Sequence, residues 1–228
     1  MLKEKLYSGR NELFALITIV LYSAMVFMYD ADDSKVKLIY LAYGLLVVTL
    51  ITRMKGIKMY PESISLFAYL GFGVLSLVWS QDRNLSITRI KGVFLLLVLL
   101  VLLSSYLIKI EKPIQLLFAI AVGGVALSVY IFSVYGISGV ISSLTQSGNR
   151  LGSGINNVNA IAHGLVTGTI SMLTLGFFYN RKLLFFLIPL VLCCLAAGSR
   201  TATLSLIVGI LLIIYYHIKS ITPTSIVG

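Results

Sequence analysis

Charge is scarce in this chain. Only 11% of its 228 residues are Asp, Glu, Lys or Arg, against about 25% in a soluble domain. A chain so poor in charge cannot cover a water-facing surface. With a mean hydropathy of +0.99, lipid has to be its solvent over much of its length. Acid is scarcer still, with 8 Asp and Glu against 18 Lys and Arg and a net charge of +10. No basic stripe interleaved with exposed aromatics accompanies that excess, which argues against a nucleic-acid partner. Membrane proteins collect Lys and Arg in cytoplasmic loops, and that accounts for the sign.

Other scarcities exclude further chemistry. The two cysteines, Cys193 and Cys194, are adjacent within an apolar run. Neighbouring positions on a helix point about 100° apart, which argues against a disulfide between them. The two histidines, His163 and His217, lie in different segments, so no metal-ligand spacing exists and no metal or cofactor is expected. Gly152-Ser153-Gly154 is not followed by Lys-Ser or Lys-Thr, so it is not a phosphate loop. The basic start, Met1 to Arg10, leads into an apolar run without a small-residue cleavage site. That run reads as a retained first span, not a signal peptide.

Apolar runs bounded by charges are abundant. They predict about eight spans, at 13–29, 36–52, 64–80, 92–108, 114–135, 160–179, 183–199 and 201–218. Runs such as Phe94 to Leu103 do not alternate, so a β-barrel is excluded and the spans must be helices. The expected fold is all-α: a polytopic transmembrane helix bundle forming a single membrane domain over 1–228. A cytoplasmic N-terminus places Lys3, Lys5, Arg10, Arg53, Lys55, Lys58, Lys109, Lys112, Arg181, Lys182 and Lys219 inside. It leaves Lys35, Lys37, Arg83, Arg89, Lys91, Arg150 and Arg200 outside. The inside surplus favours this orientation, in a cytoplasmic (inner) membrane, but the outer cations need a reason. The stretch 136–159, rich in Gly, Ser and Asn, predicts a long external loop.

With the N-terminus inside, even-numbered spans begin at the outer face. A helix start offers free N–H groups and partial positive charge, which suit phosphate. Arg89 and Lys91 sit at the expected start of span four, and Arg150 precedes span six. Arg200 opens span eight, after Ser199. Together these groups could bind a diphosphate. Each has a plainer reading. Asp82 to Lys91 also reads as a short interfacial helix on lipid headgroups, and Arg150 as an ordinary loop charge. Asn156 and Asn159 either cap span six or hydrogen-bond sugar hydroxyls. His163, expected in the first turn of span six, is either a buried, satisfied histidine or a base that needs substrate in reach. Arg200 lies in a very tight turn close to the bilayer, where an unpaired charge is costly, so function is its default reading.

Three local signatures occur in order. They are Ser76-Leu77-Val78-Trp79-Ser80-Gln81-Asp82, then Asn149-Arg150-Leu151-Gly152-Ser153-Gly154 with Asn156-Asn157-Val158-Asn159-Ala160-Ile161-Ala162, and finally Gly198-Ser199-Arg200-Thr201-Ala202-Thr203-Leu204. Their order and spacing on a multi-span chain resemble the O-antigen ligase and O-antigen polymerase family of bacterial membrane glycosyltransferases. The resemblance implies a donor, a polyprenyl-diphosphate-linked oligosaccharide, used at the outer face of the membrane. It implies a glycan acceptor, inverting transfer at the anomeric carbon, and no nucleotide or metal cofactor. Arg200 and Arg150 would be the catalytic cations, with Arg89, Lys91, Asn156, Asn159, Ser199 and His163 on the substrate side. Membrane lipids are the remaining partner. Polymerisation of surface-polysaccharide repeat units is the expected activity. The alternatives are ligation, transport of the lipid-linked glycan, or an inactive fragment with a membrane-structural role. Family members continue past the third signature into a large external loop, whereas this sequence ends at Gly228, so the chain is expected to match their N-terminal part.

Overall fold

A computed structural model describes residues 6–7, 9–29, 36–53, 56, 61–145, 151 and 158–221. Among them there are eight α-helices, two 3-10 segments and no strand. The helices are α1 (Arg10–Tyr29), α2 (Val36–Arg53), α3 (Pro61–Leu75), α4 (Arg83–Ile110), α5 (Ile114–Thr145), α6 (Val158–Phe178), α7 (Leu187–Ala196) and α8 (Arg200–Ile221). The 3-10 segments are Ser76–Val78, continuing α3, and Arg181–Phe186, leading into α7. Five helices, namely α1, α4, α5, α6 and α8, are long and apolar enough to cross a membrane. The chain is therefore a helical, multi-pass membrane protein. Large apolar side chains lie open on the outside, as at Leu41, Val78 and Ile137; hydrocarbon is the solvent that tolerates this.

Hydroxyls inside the helices are satisfied locally. Thr169 Oγ1 donates to Leu165 O at 2.7 Å, Ser128 Oγ to Gly124 O at 3.0 Å and Thr174 Oγ1 to Ile170 O at 2.9 Å. Each hydroxyl borrows a carbonyl of the preceding turn, so it carries no unsatisfied group into the apolar bundle.

Two expectations are corrected here. Asp82 to Lys91 is not a separate interfacial helix but the first part of a continuous α4 of 28 residues. At 1.5 Å per residue that is about 42 Å, well beyond a hydrocarbon core of about 30 Å. The 136–159 stretch is not all loop. A break falls at Gly136 (φ 68°, ψ 171°), a region open essentially to glycine alone, directly after the expected end of span five. The chain then resumes as helix to Thr145. Val140 is buried in the core while Ile137, Ile141 and Leu144 point outward at i, i+4 and i+7, an apolar outer face of the kind that hydrocarbon tolerates.

The packing sorts into two compact units, 1–44 with 114–228, and 45–113. In the first, α5 and α6 cross backbone to backbone. A Cβ on Gly124 would stand 2.8 Å from the Cα of Gly168, and one on Gly168 equally close to the Cα of Gly124. Leu127 against Gly164 shows the pair to be antiparallel. Phe27 of α1 enters the slot left by Gly123 and Gly164; a Cβ on Gly164 would meet its ring at 2.8 Å. The neighbours of α8 are Ile170 against Gly209 near its middle, and Phe177 and Phe178 around His217 near its end, with ring centroids 5.0 and 5.5 Å away. Thus α6 and α8 run parallel and begin at the same end of the bundle.

In the second unit, α3 and α4 form a hairpin. Asp82 caps α4, its Oδ1 accepting from Leu85 N at 3.0 Å, and Ser80 Oγ meets Ser86 Oγ at 2.6 Å across the turn. Lys109 Nζ donates to Arg53 O at 2.9 Å. The far end of α4 closes with Glu111 in the left-handed region (φ 54°). Glu111 N donates to Ile108 O and Lys112 N to Leu107 O, the paired bonds of a Schellman cap, and Pro113 then stops the helix.

Candidate functional site

The turn Ala197-Gly198-Ser199-Arg200 reverses the chain between α7 and α8. Gly198 has φ +64°, which glycine alone adopts without strain. Ser199 is 4% exposed. Its carbonyl accepts from Thr203 N at 2.9 Å and from Thr203 Oγ1 at 3.0 Å. Its Oγ lies 3.2 Å from Thr201 Oγ1 and 3.5 Å from Ala202 N. Ser199 is thus the cap of α8, buried under its first turn, and its hydroxyl is turned to the chain's own groups. Arg200 is the first residue of α8 and is exposed.

Because α6 and α8 start together, the same bundle end holds Asn159, the second residue of α6, and His163, one turn further on. Both are exposed. The buried histidine reading fails for His163: its side chain points outward, while its carbonyl accepts from Thr167 Oγ1 at 2.8 Å. His163 also sits in the second turn, since α6 begins at Val158. Leu151, the residue after Arg150 in the sequence, is buried at this end, its N–H donating to Ala196 O at 3.3 Å. Arg150 and Asn156 themselves lie outside the described residues.

Arg89 and Lys91 belong to the other unit and do not stand at a helix start. They lie two turns inside α4, whose start is already occupied by the Asp82 carboxylate, which accepts from Leu85 N–H. An anion would meet that carboxylate there, so the helix-start argument does not apply to them. Arg89 instead borders a groove of about 290 Å³ between α3 and α4, with Tyr69, Phe72, Ser76 and Ser86. That lining is amphiphilic, with a cation at its edge.

One sequence signal adds to this. From Lys112 to Gly228 the chain carries Lys112, Arg150, Arg181, Lys182, Arg200 and Lys219 and no Asp or Glu at all. Beyond Lys112, which follows Glu111 directly, none of these cations has a carboxylate close to it in sequence. Among the described residues Arg200 makes no ion pair and no side-chain hydrogen bond, and no group of three or more His, Cys, Asp or Glu comes together. Chemically, this end of the bundle offers an exposed cation at a helix start, an exposed imidazole and an exposed amide. Such a set can hold an anionic group and hydrogen-bond hydroxyls beside it.

No protein-family model matches the chain, and neither a curated protein nor a solved structure matches it.

Proposed function

We propose that this protein is a glycosyltransferase of the cytoplasmic membrane that polymerises oligosaccharide repeat units of a surface polysaccharide. It takes the growing glycan from a polyprenyl diphosphate at the outer face. The observation that carries the reading is Arg200: exposed, in a glycine-made turn at the start of α8, and set in a stretch without one acidic residue. The acceptor hydroxyl oxygen attacks the anomeric carbon and the bond from that carbon to the diphosphate oxygen breaks. The diphosphate leaves with the electron pair, and the hydroxyl proton is released. Negative charge grows on the leaving group, where a preorganised cation lowers the barrier. Arg150 assists Arg200 on the diphosphate. Asn159, His163 and Asn156 serve the sugar hydroxyls. Ser199 acts by capping α8, which fixes the first turn from which Arg200 projects.

This reading needs the start of α8 at the outer face, hence eight spans with a cytoplasmic N-terminus. Lengths support the three short ones. At 1.5 Å per α-residue and about 2.0 Å per 3-10 residue, α2, α3 with its 3-10 end, and Arg181–Ala196 each reach about 27–29 Å, close to the core thickness of about 30 Å. The 3-10 stretches lengthen two helices that would otherwise fall short.

Arg200→Ala, expressed in a strain lacking the endogenous gene, is expected to lower long-chain surface glycan at least about a hundredfold on a gel, as removal of one preorganised charge-stabilising group does. Arg200→Lys should recover part of it, because the charge stays and the fork is lost. Both variants should reach the membrane at parental levels. A normal ladder from Arg200→Ala would overturn the assignment.

A further inference from the structure

At the bundle end opposite Arg200, an apolar groove of about 210 Å³ opens between α5, α6 and the Arg181–Phe186 segment. Phe118, Val122 and Val125 line it from α5, Met172 from α6, and Leu183 and Phe186 from the 3-10 segment. The segment is clamped onto α6 because Gly176 lacks a side chain: a Cβ there would stand 2.7 Å from Leu184 Cγ. Asn180 caps it, Oδ1 accepting from Lys182 N at 3.1 Å and its carbonyl from Leu183 N at 3.0 Å. The turn's polar groups are thereby used internally, and the Arg181 and Lys182 side chains are left exposed. Neither makes an ion pair or a side-chain hydrogen bond among the described residues. Met172 lies six residues before the end of α6, so the groove runs about 9 Å down from the level of these cations.

Two cations above a wholly apolar groove complement an amphiphile with an anionic head and a hydrocarbon tail. Among the described residues no carboxylate pairs with either cation, so their charge is left for an anionic headgroup. We propose that this groove is a binding site for an anionic phospholipid, one acyl chain lying against Val122 and Phe186 and the phosphate held by Arg181 and Lys182. The site is separate from the proposed catalytic end and stands whether or not the protein transfers glycans.

The test uses the full chain in vesicles. Trp79 is the only tryptophan, so Trp79→Phe with Phe186→Trp puts one fluorophore in the groove. Quenching is then compared for brominated phosphatidylglycerol and brominated phosphatidylcholine, each diluted into unlabelled phosphatidylcholine. The glycerol lipid is expected to compete better by on the order of fivefold for each cation, and less so in high salt. Adding Arg181→Gln and Lys182→Gln should bring the two lipids level while leaving quenching by the choline lipid unchanged, which also reports that the groove is intact. Equal quenching before those changes would overturn the proposal, as would a preference that survives them. Quenching by neither lipid would show the groove closed to acyl chains and overturn it too.

Discussion

The two units use glycine in opposite ways. In the first, at Gly123, Gly124, Gly164, Gly168, Gly176 and Gly209, an added Cβ would strike a neighbouring backbone or side chain. In the second, Gly71 and Gly92 have open space around the same position, and Gly73 only ordinary contact with Ile90. Both units have lipid for solvent, so burying apolar surface cannot by itself drive their helices together. Close backbone approach and dense packing have to do so. The first unit is built that way, with α5 and α6 touching through glycine and Phe27 seated in the slot beside them. Among its described residues the second has no such seam and relies on a capped hairpin turn, the Lys109–Arg53 bond and the Schellman end of α4. The contrast shows where missing side chains hold the structure together and where they merely weaken a helix.

Substitutions can break or sharpen this contrast. Gly168→Val should have the largest effect. The obstructing atoms are backbone on both sides, so the helices must separate, at a cost of about 3 kcal/mol. Loss of a cooperative melt in detergent is the expected readout; a parental melting curve would mean that the seam is not structural. Phe27→Ala comes next, leaving the slot between Gly123 and Gly164 empty at a cost of about 2 kcal/mol, below a fully buried Phe because this ring is only partly buried. That variant should melt earlier but still cooperatively. The smallest effect, of opposite sign, is expected in the other unit. Gly92→Ala should stabilise α4 by up to about 1 kcal/mol, since alanine is the better helix former and nothing stands in its way. Destabilisation there would place a neighbour against Gly92 and remove the difference between the units.

Much of this was legible beforehand because lipid imposes strong rules. Long apolar runs bounded by charge had to be helices, and each expected run overlaps a helix, although α4 begins nine residues before the expected 92 and α5 runs ten residues past 135. The expected end of span five falls beside the break at Gly136. Errors came where a local device overrode the composition. Asp82 caps α4 early, so the polar stretch through Lys91 joins the helix. Val140 docks Ile137–Thr145, so part of a Gly- and Ser-rich stretch is helical. At the candidate site, the tight turn before Arg200 was readable from Gly198-Ser199. The capping role of Ser199 and the outward direction of His163 were not, since both depend on which helix face is covered. The glycine seam did leave a signal, Gly164-x-x-x-Gly168, a spacing that puts two small residues on one helix face; the missing acids after Glu111 were a second.

From its sequence this protein could be known as helical, membrane-embedded and multi-pass, because composition alone decides which solvent a chain can tolerate. Periodicity and length then decide which secondary structure that solvent permits. Partnership was decided by the folded structure. Asn159 and His163 share a bundle end with Arg200, and Arg89 and Lys91 fall in a separate unit. The slot at Gly123 and Gly164 receives Phe27, and Arg181 and Lys182 stand above an apolar groove. Those outcomes rest on interhelical contacts between residues far apart in the chain, and in a bilayer such contacts are chosen by shape at close range, which hydropathy does not encode.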